Sequence, residues 1–191
     1  MIVIIGSGIS GLSLSYFLSQ SKIKNIVIDF RSSVGNFPRS TTLISGKIFK
    51  FLDFIKKEDV IKSFHVANFW YENEKIFTVK AKNKMYIFDY KKLENKIFQH
   101  IDKSFSNFLF SEKVLDVDFS KNIIFTNKRK IKFEILVDAS GTYSFLANKL
   151  NLFKFKKIFN SFEIFGIFQK TLEDVNIFFD KKISKEKFGW Y

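Results

Sequence analysis

Three glycines, spaced Gly6-x-Gly8-x-x-Gly11, stand between an apolar run, Ile2-Val3-Ile4-Ile5, and a stretch carrying Leu12, Leu14, Tyr16, Phe17 and Leu18. Each glycine has its own physical task in holding a dinucleotide's pyrophosphate. Gly6 permits a tight turn out of a strand, Gly8 lets the anion approach the backbone, and Gly11 lets the next helix pack closely on the sheet. The anion then rests on free N–H groups at the helix N-terminus, where the helix dipole favours negative charge. Asp29 lies near the end of a second apolar run, Asn25 to Phe30, at the offset of the acid that accepts hydrogen bonds from ribose hydroxyls. Ser7 and Ser10 fit this cradle or a plain capping role at the helix start. The pattern accepts NAD as well as FAD, so the glycines alone do not choose the cofactor.

These residues need a strand, a turn, a helix and a second strand to hold them. The continuous apolar runs predict buried parallel strands, and the broad apolar stripe from Leu12 to Leu18 predicts the helix between them. Ser32 to Ser45 is polar, holds the single proline, Pro38, and reads as a long ordered loop. Gly46 to Ile61 reads as a helix interrupted by Lys56-Lys57-Glu58-Asp59. Period-two stretches between Phe64 and Phe88 predict antiparallel strands of a second, smaller sheet. Asp89 to Phe105 reads as a helix with Leu93, Ile97, Phe98 and Ile101 on one face. Short strands are expected at Phe108–Phe110, Val114–Phe119, Asn122–Thr126, Lys130–Phe133 and Glu134–Val137, then a loop and short helix to Leu150, and further strands across Phe159–Tyr191.

Composition narrows the function classes. The 191 residues include no cysteine, which excludes disulfides, zinc–thiolate sites, iron–sulfur clusters and catalytic thiols from this chain. No metal site is expected. No apolar run reaches the ~18 residues of a bilayer-spanning helix. The start of the chain reads as strand rather than signal peptide, so a cytoplasmic location is expected. The net charge of +13 comes from scattered lysines in a composition rich in Lys, Ile, Phe and Asn. Scattered charge reads as a solvated face. No nucleic-acid recognition motif accompanies it, and no nucleic-acid partner is expected. A basic surface does favour peripheral contact with anionic lipid headgroups. His65 and His100 have no partner pattern and are read as structural.

Several segments together resemble the geranylgeranyl reductase family of flavoproteins, within the wider p-hydroxybenzoate-hydroxylase-like FAD fold. The glycine motif is shared with many flavoproteins. Val34-Gly35-Asn36-Phe37-Pro38-Arg39-Ser40-Thr41-Thr42-Leu43-Ile44-Ser45 is similar to the family's loop along the flavin. Phe88-Asp89-Tyr90-Lys91-Lys92-Leu93-Glu94-Asn95 is similar to its short strand leading into a helix. Ile135-Leu136-Val137-Asp138-Ala139-Ser140-Gly141-Thr142-Tyr143-Ser144 is similar to its Asp-Gly segment, and Phe188-Gly189-Trp190-Tyr191 to the start of its isoprenoid-side segment. Two departures stand out: Thr41 lies near the place of a family cysteine, and Tyr90 replaces an arginine usual before the third segment's helix. Nothing here resembles the family's later Gly-Asp motif.

The resemblance implies an α/β fold: a Rossmann-like FAD-binding domain with a parallel sheet over 1–62 and 89–150, and a partial antiparallel substrate sheet over 63–88 and 151–191. It implies that Gly6, Ser7, Gly8, Ser10 and Gly11 line the pyrophosphate, and that Asp29 binds the adenosine ribose with Arg31 beside it. Thr41 and Thr42 would border the flavin, Val114 would meet the adenine, Gly141 would close on the cofactor, and Trp190 would face a lipid pocket. From the residues alone, Arg31 reads equally as a surface cation, Val114 and Trp190 as core, and Asp138 as a strand-ending turn former. The implied activity is FAD-dependent reduction of isoprenoid C=C bonds, as in archaeal-type lipids, with NAD(P)H or a reduced protein as electron donor. A flavin monooxygenase on the same scaffold, or an incomplete FAD-binding module that needs a partner chain, stays open beside it.

Overall fold

The computed structural model describes residues 1–36, 43–142, 144–152 and 173–179, and the backbone of 189–190. In chain order its elements are β1 (Ile2–Ile5), α1 (Ile9–Gln20), β2 (Asn25–Ile28), β3 (Leu43–Ser45), α2 (Ile48–Phe51), β4 (Val60–Tyr71), β5 (Glu74–Phe88), α3 (Tyr90–Gln99), β6 (Ser106–Leu109), β7 (Val114–Asp118), β8 (Ile123–Thr126), β9 (Lys130–Lys132), β10 (Ile135–Asp138), α4 (Phe145–Lys149), β11 (Val175–Phe179) and β12 (Gly189–Trp190). The chain divides into two compact units: Met1–Ser40 with Tyr90–Asn160, and Thr41–Asp89 with Ser161–Tyr191.

The first unit is built on a parallel sheet in the order β10-β1-β2-β6. Ile2 sits opposite Asn25 on one side and Ile135 on the other. Strands covered on both sides carry continuous apolar runs, and Val3 and Ile4 are fully buried. A three-stranded antiparallel sheet, β7-β8-β9, shares one core with it: Val3, Ile5 and Ile28 pack with Val114, Val117, Ile124, Ile131 and Phe133, and with Leu146 of α4. Each such side chain contributes about 1.5–3 kcal/mol by leaving water.

Helix α1 differs from the broad apolar face expected of it. Its buried residues are Gly11, Leu12, Ser15 and Ser19, and Phe17 is exposed. Small residues four apart, at 11, 15 and 19, let the helix sit close on the sheet. Ser15 Oγ donates to Asn25 Oδ1 at 2.8 Å and bonds Ser106 Oγ at 3.1 Å, so a polar knot satisfies what that close face buries. The helix ends in a Schellman arrangement. Ile23 N–H donates to the Leu18 carbonyl and Lys22 N–H to that of Ser19, with Lys22 at φ 58° in the left-handed region.

The second unit is a sheet in the order β12-β11-β4-β5-β3. Strands β4 and β5 form a long antiparallel hairpin, and β11 joins β4 in parallel. Phe69 stacks on Phe77 and Phe179, and Trp70 on Phe178. The helix expected over Gly46–Ile61 is only the single turn α2, a short 3-10 turn at Lys57–Asp59, and then strand. The Asp59 carboxylate accepts from Lys56 N–H at 2.7 Å, a local bond that competes with continued helix. Residues 41–62, assigned from sequence to the first domain, cluster with the second unit, since β3 pairs antiparallel with β5. Part of the expected 32–45 loop and most of 159–191 lie outside the described residues.

Candidate functional site

β1 lies between β10 and β2, so the chain leaves the sheet at Gly6 where neighbouring connections diverge. Open α/β sheets bind ligands at such switch points, beyond the carboxyl ends of the strands. A cavity of about 580 Å³ lies here, lined among others by Gly6, Gly8, Ser10, Val114, Ser140 and Gly141.

The three glycines prove to do different work. Gly6 turns at φ +102°, and a Cβ on it would stand 2.5 Å from the Ala139 carbonyl oxygen. A Cβ on Gly11 would lie 1.9 Å from the Gly6 carbonyl oxygen, so Gly11 is required by helix–strand packing. Gly8, the N-cap of α1, is extended at φ −70°, and its nearest neighbour to an added Cβ would be Glu94 Oε1 at 3.8 Å. Among the described residues no atom demands a glycine at position 8; the space it leaves belongs to the cavity. No side chain caps the helix at Gly8, and the helical ladder starts with Leu12 N–H to the Gly8 carbonyl at 2.9 Å. The amides before Leu12 are therefore outside the ladder, and that of Ile9 donates to the Tyr90 phenolic oxygen.

Asp29 and Arg31 line this cavity as expected, but they are committed to protein partners. Ser7 N–H and Ser7 Oγ each donate to Asp29 Oδ2 at 2.7 Å. Arg31 N–H donates to Oδ1 at 2.8 Å, and the guanidinium reaches Oδ2 through Nε and Nη2 at 3.2 and 3.1 Å. Arg31 Nη1 donates to Glu94 Oε2 at 3.2 Å and to the Asn36 carbonyl at 3.1 Å. Arg31 is 9% exposed and Glu94 1%, so this is a buried ion cluster rather than a surface cation.

Burial raises the Asp29 carboxyl, yet the bonds from Arg31 and Ser7 outweigh it and hold Asp29 below its ordinary value. Burial lowers the Arg31 guanidinium, and its two carboxylate partners more than restore it. Glu94 goes the other way. Burial pushes it up, Arg31 only partly offsets that, and the nearby Asp29 charge adds to the rise. Tyr90, on the same helix, is raised by burial and by Glu94, beyond what the Ile9 amide bonding its oxygen returns. It stays a phenol.

Two expected pyrophosphate residues stand behind the cradle. Ser7 is fully buried and spends its amide and hydroxyl on Asp29, because a strand-end carboxylate needs donors once buried. Gly11 is taken up by the strand contact. Neither lines the cavity. Val114 lines the cavity and also belongs to the core. Gly141 lines it at φ +85°, with open space around a Cβ position. Asp138 is structural: Oδ1 accepts from Ser140 N–H at 3.0 Å, and Oδ2 from Ser144 Oγ and Leu146 N–H at 2.6 Å each. Burial raises its carboxyl, and the bonds from Ser140 and Ser144 pull it below the ordinary value. It thereby shapes the loop that carries Gly141.

Thr41 and Thr42 lie outside the described residues. Trp190 belongs to the second unit, where its backbone pairs with Ile177; its side chain lies outside the described residues. Glu94, Tyr90, Glu112 and Phe30 line the cavity but were not singled out from sequence as site residues. Glu94 did leave a signal, an acid three residues before Ile97 on the apolar stripe of α3. Among the described residues, no group of three or more His, Asp or Glu could hold a metal ion, and no helix is long and apolar enough to cross a membrane.

A family model described as an NAD(P)-binding Rossmann-like domain matches residues 4–49. No curated protein matches the sequence. Among solved structures, the chain is similar to PqsL of Pseudomonas aeruginosa, described as a probable FAD-dependent monooxygenase. Identity is 14% and the TM-score 0.72, over 92% of this chain and 53% of that one. It is also similar to a geranylgeranyl bacteriochlorophyll reductase-like protein from Thermoplasma acidophilum, at 13% identity and TM-score 0.60, over 71% of this chain and 37% of that one. Aklavinone-11 hydroxylase, solved with FAD and aklavinone, gives 16% identity and TM-score 0.59, over 78% and 34%. These likenesses establish the fold, an α/β Rossmann-like domain with a parallel sheet plus antiparallel sheets. The chain spans about half the length of PqsL.

Proposed function

We propose that this chain is the dinucleotide-binding half of an FAD-dependent oxidoreductase. The observation that carries the reading is the space left by Gly8 at the N-terminus of α1, open to a cavity that Val114 and Gly141 also line. The adenosine diphosphate portion would sit in this cradle: amides outside the helical ladder, other than that of Ile9, which Tyr90 occupies, would meet the diphosphate, and Val114 would offer an apolar edge to the adenine. Asp29 and Arg31 shape the wall from behind. With Asp29 already accepting from Ser7 and Arg31, a ribose hydroxyl must displace or share one of those bonds. Bound FAD supplies two-electron redox chemistry, and the protein supplies binding, orientation and exclusion of water. Thr41, Thr42 and Trp190 are the residues proposed for the flavin and substrate sides. NAD(P)H or a reduced protein is the proposed electron source.

The proposed substrate is an isoprenoid lipid whose C=C bonds are reduced. The segment resemblance supports this, as does the likeness to a reductase-like structure. A second reading, oxygenation of an aromatic substrate, is favoured by the likeness to PqsL over 92% of the chain. A partner polypeptide completing the fold, peripheral membrane contact and a cytoplasmic setting belong to the same proposal. The test is to express the chain with a candidate completing polypeptide, load and reduce FAD, and incubate with geranylgeranyl lipid. A mass gain of two hydrogens per saturated bond supports the reductase. Unchanged lipid with bound, reduced flavin, together with NAD(P)H-dependent oxygen uptake on an aromatic substrate, supports the monooxygenase instead.

A further inference from the structure

Two carboxylates, Asp29 and Glu94, face the single guanidinium of Arg31. Asp29 takes most of that charge, through contacts from Nε and Nη2. Glu94 uses one oxygen only: Oε2 accepts from Arg31 Nη1 at 3.2 Å and from Gly35 N–H at 2.9 Å. The other oxygen, Oε1, is the atom nearest the vacant Cβ position of Gly8, at 3.8 Å. A buried acid thus turns an oxygen into the space where an anion would approach the backbone. An ionised Glu94 there would oppose a diphosphate at short range, in a site with little solvent screening.

We infer that Glu94 is a direct contact to the bound diphosphate and donates a proton-bearing Oε1 to it, so that dinucleotide binding takes up a proton at this side chain. The inference rests on the dinucleotide-binding reading above and adds a pH-dependent contact to it. The other groups facing Glu94 all work in this direction or stay constant. Arg31 remains charged, Asp29 is held ionised by Ser7 and Arg31, and Tyr90 on α3 stays protonated. The first two turns of α1 carry no ionisable side chain. Glu112, also in the cavity wall, is occupied by Arg129 at 3.2 Å and Thr126 at 2.6 Å. Lys113 is the other cation lining the cavity. The raised Glu94 carboxyl agrees with the geometry.

The test is calorimetric titration of the full chain with FAD and with ADP-ribose, whose diphosphates stay ionised throughout, across a pH series from mildly acidic to mildly alkaline. Adenosine serves as the control without a diphosphate. Wild-type affinity is expected to fall by about tenfold per pH unit above the Glu94 titration, as for one linked proton. Repeating the titration in buffers of different ionisation enthalpy should show net proton uptake, a readout that needs no variant. Glu94→Gln, which keeps the shape and carries an amide donor, should bind both dinucleotides with little pH dependence. Wild-type binding that is flat with pH and takes up no proton would overturn the inference and leave the dinucleotide site standing. An unchanged pH slope in Glu94→Gln, or the same slope with adenosine, would overturn it equally. Failure of FAD and ADP-ribose to bind at any pH would bring down the dinucleotide reading itself.

Discussion

Gly8 and Gly11 look alike in the motif, but opposite forces hold them. Gly11→Ala would press a methyl group into the Gly6 carbonyl, at 1.9 Å in the present geometry. It should destabilise the protein by on the order of 3 kcal/mol, read from urea unfolding. Gly8→Ala meets nothing closer than 3.8 Å and should leave stability within about 0.5 kcal/mol. It should nonetheless weaken FAD binding by about tenfold or more, about 1.4 kcal/mol, because the methyl occupies the approach to the backbone. The ionisable residues make a second prediction. Asp29 and Asp138 are held below their ordinary values, so their stabilisation is complete above the unfolded Asp pKa of about 3.9 and is lost as pH falls through the lowered values. Glu94 is raised, so its contribution is complete below the unfolded Glu pKa of about 4.3 and is lost as pH rises through the raised value. Unfolding free energy measured against pH should therefore decline on both sides, and Glu94→Gln should flatten the alkaline side alone. The glycine spacing and Asp29 were readable in the sequence. The inward turn of Ser7 was not, because it depends on where a buried carboxylate finds its donors.

At the scale of elements, local pattern located the strands well wherever both faces are covered, as in β1 and β2. It failed where a helix is shaped by contact. The apolar residues of α1 suggested a greasy face, while the buried face is Gly11, Leu12, Ser15 and Ser19. Close approach to the sheet favours small residues there; the polar knot with Asn25 satisfies Ser15, and Ser19 Oγ donates to the Tyr16 carbonyl and accepts from Asp102 N–H. The end of α1 was equally hidden, since its C-terminal turn carries Lys22 where glycine is the usual signal. That departure gives a prediction. Lys22 is left-handed at φ 58°, a conformation that costs a side-chain-bearing residue about 1–2 kcal/mol. Lys22→Gly should stabilise the chain by about 1 kcal/mol, seen as a higher urea midpoint with unchanged slope. A lower midpoint would mean that the lysine makes contacts which outweigh its backbone strain. The over-long helix expected across 46–61 failed for a related reason. The periodicity was present, but α2 stops where Leu52 leaves helical geometry at φ −124°, and the Asp59 side chain, accepting from Lys56 N–H, opens a separate 3-10 turn.

For the whole molecule, the chain holds two compact units, one built on the parallel sheet and one on the β4–β5 hairpin. The chain spans about half the length of PqsL, so cofactor binding and turnover are separate questions. The first unit holds every described residue of the cavity wall, and binding of the adenosine diphosphate part is proposed as a property of that unit. Turnover is proposed to need a completing partner. The central claim is most directly tested by titrating FAD with the purified chain and following flavin fluorescence, wild type beside Gly8→Ala. The account predicts saturable one-to-one binding by the wild type, competed by ADP-ribose, and at least a roughly tenfold loss in a stably folded Gly8→Ala. Absence of FAD binding, or equal binding by Gly8→Ala, would contradict it.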